Sequence, residues 1–165
     1  MKIHDDHMYH GAALTQIAEH PQFTAINAFK NDADTSRCGF LINQDIGIYL
    51  KYATTKTKAF DEFVFTFTRE HIAEIDLLSQ KAAKTFIVFV CVHAKEICCI
   101  RRTELHNLIA KRRAARGCEE DIYTILVTVP NGKSCRVYMN QPGKRKTSLG
   151  VIIVSRNRFP NEIFE

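Results

Sequence analysis

The feature of this sequence that most constrains its fold is the apolar run at residues 85–92, TFIVFVCV. The run is too short to cross a bilayer, and its β-branched and aromatic residues are typical of a strand. A strand without polar alternation is buried on both faces of its sheet. Residues 85–92 are therefore predicted to form the central strand of a covered sheet.

A hairpin is predicted at residues 39–43 and 46–52, which are apolar, rich in β-forming residues and joined across Gln44 and Asp45. Lys51 lies near the end of the second strand and is followed by the polar segment ATTKTK. Its ammonium group either reaches water at the end of the sheet or meets an anion. The sequence leaves both interpretations open.

The rest of the chain supplies further helices and strands. Periodic apolar residues predict helices at 8–20, 69–80 and 104–117, with Thr68 and Thr103 as N-caps of the last two. Gly117 is predicted to end the third helix. Strands are predicted at 23–29, 62–68, 97–100, 123–129, 135–139 and 149–155, and a polar loop at 30–37.

This pattern predicts an α/β fold, leaning towards α+β, in which helices flank a mixed central sheet. At 165 residues the chain is expected to be a single domain. Its core would lie at residues 8–117, and a C-terminal β-hairpin extension at residues 120–165.

Composition limits where the protein can act. No run is apolar and long enough to cross a membrane, and the N-terminus has no apolar signal region, so a cytoplasmic location and no membrane partner are expected. Under those conditions the six cysteines are expected to be reduced and to pack as small apolar groups.

Two groups of residues resemble metal ligands. The first, near the N-terminus, consists of His4, His7 and His10 with Asp5 and Asp6. These donors suit zinc, iron or nickel. We expect the alternative, in which this end of the chain binds no metal.

The second group contains Cys91, His93, Cys98 and Cys99. Adjacent Cys98 and Cys99 must face opposite sides of a strand, so packing is predicted there rather than zinc binding.

Two basic segments stand out in a chain of net charge +5. One ends the third predicted helix and the other lies in a loop containing Gly and Pro; their cations are Arg112, Arg113, Arg116, Lys144, Arg145 and Lys146. Together they could form a phosphate-binding surface, and an ordinary solvated surface is the alternative.

The order of these elements over residues 9–110 resembles the restriction-endonuclease-like, or PD-(D/E)xK, nuclease superfamily. Such domains open with a helix and a hairpin whose second strand carries an acid-x-Lys motif. Lys51 matches the lysine of that motif, and Tyr49 stands at the position of its acid. Ser36, Arg37 and Cys38 stand where an upstream acid is expected.

The resemblance implies a site in which two carboxylates hold a divalent metal such as Mg²⁺ and a lysine stabilises the transition state. Lys51 would be joined by displaced acids, with Asp45 and Glu19 as the candidates and Asp32 and Asp34 as further ones. We therefore expect a protein that binds DNA or RNA through a degenerate nuclease-like core. The alternatives are a metal-dependent nuclease with displaced acids and a protein-interaction subunit, including one that forms a homo-oligomer.

Overall fold

The computed structural model describes residues 1–31 and 34–165. Within these residues the helices are α1 (Asp5–Ala18), α2 (Arg69–Gln80), α3 (Arg102–Arg116) and α4 (Asn161–Phe164). The strands are β1 (Ile26–Asn31), β2 (Asp34–Ile42), β3 (Ile46–Ala53), β4 (Phe63–Thr68), β5 (Lys84–Cys91), β6 (Glu96–Arg101), β7 (Ile122–Thr128), β8 (Cys135–Asn140) and β9 (Ser148–Val154).

A mixed five-stranded sheet has the order β1-β2-β3-β5-β6. Strands β1, β2 and β3 form an antiparallel meander, β5 runs parallel to β3, and β6 returns antiparallel to β5. Every residue of β5 after Lys84 is buried, as the uninterrupted apolar run predicts. The predicted α/β class, with helices flanking a mixed sheet, is thereby confirmed.

A second, antiparallel sheet has the order β4-β7-β8-β9. Alternation along β4 buries Phe63, Phe65 and Phe67 and leaves Val64 and Thr66 exposed. The sequence predicted β4 as a strand but did not separate it from the central sheet. Its long ladder with β7, from Phe63–Val127 to Thr68–Ile122, shows that it pairs with the C-terminal strands instead.

The five-stranded sheet is covered on both faces. On one face, α1 and the C-terminal segment pack through Ala13, Ile17 and Ile163 onto Ile48 and Leu50 of β3. The opposite face packs against α2, α3 and the inner face of the four-stranded sheet. The rings of Phe65 and Phe89 join the two sheets, with their centroids 4.7 Å apart.

Two local predictions differ from the structure. The predicted loop at 30–37 is largely strand, because Lys30 pairs with Thr35 and Asn31 with Asp34 in the β1–β2 ladder. Backbone pairing at an exposed edge tolerates polar side chains.

The second difference concerns the start of α3. Thr103 is not its N-cap; the N-cap is Arg101, whose backbone N–H donates to the Glu104 carboxylate over 2.9 Å. Thr68 is confirmed as the N-cap of α2, and Gly117, with φ of 83°, ends α3 as predicted.

All six cysteines are free thiols. Cys98 packs in the core between the sheets, whereas Cys99 packs under α1, so the two thiols face opposite sides of β6 as expected. Among the described residues no set of three His, Cys, Asp or Glu side chains is arranged to hold a metal. None of the described helices combines the length and hydrophobicity needed to span a membrane.

Candidate functional site

A cluster of partly buried polar side chains lies where β2 and β3 separate. Their ladder ends at the Gly39–Tyr49 pair, while β3 continues to Ala53. We call this region the β2–β3 fork and define it by Ser36, Cys38, Tyr49 and Lys51. The Ser36 hydroxyl accepts from the backbone N–H groups of Cys38 and Gly39, at 3.2 and 2.8 Å. Such local bonds compete with ladder pairing.

Helix α2 adds two polar groups to the fork. The Nδ1 atom of His71 accepts from the backbone N–H of Thr68 over 3.2 Å and lies 3.5 Å from Nζ of Lys51. An Nδ1 atom that accepts requires a proton on Nε2 if the ring is neutral. The Glu74 carboxylate accepts from the Ser36 hydroxyl. The N-cap geometry of α2 thus sets the position of His71 beside Lys51.

Burial governs the protonation of these groups. It lowers the pKa of Lys51, and it also lowers the pKa of His71, where the Lys51 charge adds to the effect. Burial raises the pKa of the Cys38 thiol against the opposing influence of Lys51. The pKa of Tyr49 is raised for the same reason, and its hydroxyl bonds to Cys38. The fork therefore holds one cation and one carboxylate beside groups that favour their neutral forms.

The structure does not bring the predicted catalytic residues together. Asp45 lies before the start of β3, and Lys51 near its end; six residues of strand span about 20 Å. Glu19 is the exposed C-cap of α1, whereas α1 influences the fork from its other end, through Asp6 and His10.

Of the remaining acids of the resemblance, the one that the structure describes does not complete a metal site either. Asp34 is exposed at the start of β2, and Asp32 lies outside the described residues. Glu74 is the acid that sequence reasoning missed, although its position one turn after His71 on α2 places the two side chains on the same face of the helix. One carboxylate bound to a hydroxyl does not fit the two-carboxylate set that Mg²⁺ would need in a nuclease.

The N-terminal histidines line a groove of about 580 Å³ next to the fork, together with Asp6, Ser36 and Arg37. His7 Nδ1 accepts from the backbone N–H of His4 over 3.1 Å. His10 is 4% exposed and packs edge-on against Tyr52. These contacts give His7 and His10 structural roles in α1, although the buried Nδ1 atom of His10 has no hydrogen-bond partner among the described residues.

The basic residues at the end of α3 are paired with acids. Nε and Nη2 of Arg112 donate to the two oxygens of Glu120 at 2.6 and 3.1 Å, and Nη1 donates to the Asn140 carbonyl at 2.7 Å. Arg112 in turn lowers the pKa of Glu120. Arg113 lies 3.7 Å from Glu119, and Arg116 lies 3.9 Å from Glu120. Arg112 thus fixes the end of α3 to β8.

The loop between β8 and β9 carries Lys144, Arg145 and Lys146, all exposed. Lys144, Arg145 and Arg112 line one cavity of about 580 Å³, which we call the basic groove. The groove is also lined by Phe60, Val64, Ile122, Leu126, Glu62 and Glu120. Among the described residues no carboxylate forms an ion pair with Lys144 or Arg145. Arg112 of the first basic segment therefore lies at the same surface as Lys144 and Arg145 of the second, whereas Arg113 and Arg116 do not line the groove.

Lys146 lies beside this groove, with its Nζ 4.6 Å from the centroid of the Phe60 ring. A cation over an aromatic face is attracted by the ring quadrupole. The contact connects the β8–β9 loop to the segment that precedes β4.

Comparison with known proteins gives no relative: no protein-family model matches the chain, and no curated protein or solved structure is significantly similar to it.

Proposed function

We propose that this protein binds nucleic acid through the basic groove and that its restriction-endonuclease-like core does not cleave efficiently. The observation that carries the proposal is the meeting of Arg112 with Lys144 and Arg145 at one cavity. Lys144 and Arg145 have no carboxylate partner within residues 1–31 and 34–165, so their charges are available to phosphates. Lysine and arginine at such a surface bind phosphates and release counterions.

The two carboxylates of the groove oppose a polyanion only weakly. Glu120 is neutralised by its bidentate contact with Arg112. Glu62 is buried and accepts from the Tyr138 hydroxyl. The groove therefore presents a net positive charge, which favours a polyanion as its ligand.

The order of the five-stranded sheet supports the nuclease-like part of the proposal. A helix, the β2–β3 hairpin and the buried strand β5 follow one another as in the resemblance, whereas β4, the third strand of that series, pairs in the four-stranded sheet instead. Lys51 is retained, whereas Tyr49 occupies the position of the acid and bonds to Cys38. Among residues 1–31 and 34–165 no second carboxylate joins Glu74 to form a metal-binding set at the fork, and efficient cleavage of this type depends on such ligands.

Fluorescence anisotropy with labelled DNA and RNA oligonucleotides tests the proposal. Wild type is expected to bind at about 50 mM salt, and the triple variant Lys144→Ala, Arg145→Ala, Lys146→Ala is expected to bind at least about tenfold more weakly. The matched control is Lys2→Ala, Lys30→Ala, Lys95→Ala, which removes the same charge from exposed residues that do not line the groove. No binding at low salt, or equal losses in both triple variants, would refute the proposal.

A metal-dependent nuclease is a second candidate, because Glu74 lies in the fork with Ser36. Incubating plasmid with wild type in Mg²⁺ or Mn²⁺, alongside Lys51→Ala and Glu74→Gln, distinguishes the two. We expect no cleavage above background. Cleavage that both variants abolish would establish the nuclease instead.

A further inference from the structure

We infer that the basic groove takes single-stranded nucleic acid, with unpaired bases on the outer face of the four-stranded sheet and phosphates at Lys144 and Arg145. This inference rests on the proposed function and specifies the form of its ligand.

The floor of the groove is an exposed apolar surface. Val64 of β4 pairs with Leu126 of β7, and Ile122 pairs with Thr68, so these side chains alternate with the phenylalanines that fill the core. Val64 is 40% exposed and Ile122 52% exposed. An exposed apolar sheet surface suits the face of an unpaired base, which stacks without regard to its sequence.

Phe60 adds an aromatic ring to the same cavity. Lys146 covers this ring, so a base that stacks on Phe60 would displace the ammonium group. The displaced Lys146 would then be available to the adjoining phosphate. Aromatic rings alternating with cations are typical of surfaces that follow a single strand.

A duplex cannot use this floor. In double-stranded nucleic acid the base faces are stacked inside the helix, and only the base edges are accessible in its grooves. Those edges are read by elements that protrude, such as a helix or a two-stranded ribbon. The concave floor behind Lys144 and Arg145 therefore offers a duplex its phosphate contacts alone.

Amides at the end of the groove supply polar contacts to a base edge. Asn140 and Gln141 line the cavity next to Lys144. The Oδ1 atom of Asn140 is buried and has no hydrogen-bond partner in the described part of the chain, so a base would reach it only after the side chain turned into the cavity. An amide of this kind has a donor and an acceptor side by side, which match the edge of a base.

The experiment compares a fluorescein-labelled oligothymidylate with a duplex of equal length by anisotropy at one fixed salt concentration. We expect wild type to bind the single strand at least about tenfold more tightly than the duplex. Phe60→Leu and Ile122→Thr are each expected to weaken single-strand binding about fivefold or more and to leave duplex binding unchanged. Ile122→Thr keeps a β-branched residue in β7, and Phe60→Leu keeps an apolar residue in the turn before β4, so circular dichroism can check that both variants retain the fold.

Ile153→Thr is the matched control, because Ile153 is also exposed on a strand of the same sheet, at 58%, but does not line the groove. Its binding should equal that of wild type. Equal affinity for single strand and duplex, with no effect of Phe60→Leu or Ile122→Thr, would overturn this inference and leave phosphate binding at the groove intact. Absence of all binding at low salt would instead overturn the proposed function. If polyglutamate at a charge-equivalent concentration displaced the oligonucleotide, the proposed function would also be overturned, because the groove would then be a site for acidic protein segments.

Discussion

Lys51 lies near the end of a strand, as the sequence predicts, but the residues that it contacts were not predicted. Its place near the end of an apolar strand left two interpretations open, a solvated cation or one that meets an anion. In the structure its Nζ lies 5.2 Å from the centroid of the Phe67 ring and 3.5 Å from His71. Neither contact was predictable, because both depend on how β4 and α2 return to the fork.

Replacing Lys51 tests the cost of its burial. Burial lowers its pKa from the ordinary value of 10.5, so the unfolded chain binds the proton more strongly than the folded one. Stability therefore rises with pH between the lowered folded pKa and 10.5. We expect Lys51→Met to raise the free energy of unfolding at pH 7 by about 1 kcal/mol, since loss of the contact over Phe67 offsets part of the gain. The gain should shrink at alkaline pH.

Urea unfolding at neutral and alkaline pH measures both effects. A destabilisation of about 2 kcal/mol or more at pH 7 would contradict this account, because it would mean that the charge has a strong partner.

His10 makes a prediction of the same sign in the acid range. Burial lowers its pKa from the ordinary value of 6.5, against the raising influence of Asp6. Its contribution to stability is then complete above 6.5 and is lost as the pH falls through the lowered folded pKa. Wild type should lose stability on acidification below 6.5, and His10→Gln should lose less of it. Urea titrations across this range measure how the free energy of unfolding changes with pH, and substitution of an exposed histidine, His93→Gln, is the control. An equal pH dependence in wild type and His10→Gln would be inconsistent with a buried imidazole.

At the scale of elements, the two threonines predicted as N-caps show that hydrophobic periodicity predicts a helix but not its first residue. Both threonines precede helical patterns, yet α2 begins after Thr68 and α3 begins one residue before Thr103. The difference arises because Glu104 satisfies the backbone N–H of Arg101 and so extends α3 backwards. Periodicity gives the existence of a helix more reliably than its first residue.

Thr68 and Thr103 form a matched pair for mutagenesis, because only Thr68 is an N-cap. Thr68→Ala removes the hydroxyl that accepts from the backbone N–H of His71, and is expected to cost about 1 kcal/mol of stability. Thr103→Ala lies inside the first turn of α3 and is expected to stay within about 0.5 kcal/mol of wild type. Chemical denaturation measures both, and equal losses would show that the cap of α2 contributes nothing specific.

Strand β4 shows why the arrangement of elements exceeded what the sequence could predict. Alternating phenylalanines gave its strand character and its buried face. Its sheet is decided by the β4–β7 ladder, which joins residues more than fifty positions apart. Hydrophobic alternation carries no information about which distant strand supplies the partner.

At the scale of the whole molecule, the two sheets share one core, while a single domain over residues 1–165 stays a prediction. Phe89 of β5 contacts both Phe65 and Phe67 of β4, with ring centroids 4.7 and 6.2 Å away. The buried run at 85–92 predicted that Phe89 would be buried, but only the fold shows that it joins the sheets.

Truncating Phe89 tests this joint core. Phe89→Ala is expected to cost about 3–5 kcal/mol, because it leaves a cavity between the sheets. Amide hydrogen exchange should show protection falling in both sheets together. Loss confined to the five-stranded sheet would indicate two units that unfold separately.

For the candidate sites too, the sequence identified the residues but not which of them lie close together. Sequence identified Lys51 and the two basic segments by residue type, and it expected those segments to share a surface if they act together. The fold separates Asp45 and Glu19 from Lys51, engages Arg112 with Glu120, and leaves Lys144 and Arg145 at the groove. Residue chemistry was readable from the sequence, whereas proximity required the tertiary contacts of α1, α3 and the β8–β9 loop.

The salt dependence of oligonucleotide binding tests the central claim most directly. Each single-strand phosphate neutralised contributes roughly −0.7 to the slope of log K against log salt. If Lys144, Arg145 and Lys146 each contact a phosphate, wild type should show a slope of about −2 and the triple alanine variant a slope near zero. The control that removes Lys2, Lys30 and Lys95 should retain the wild-type slope. Identical slopes in wild type and in the groove variant would contradict the account.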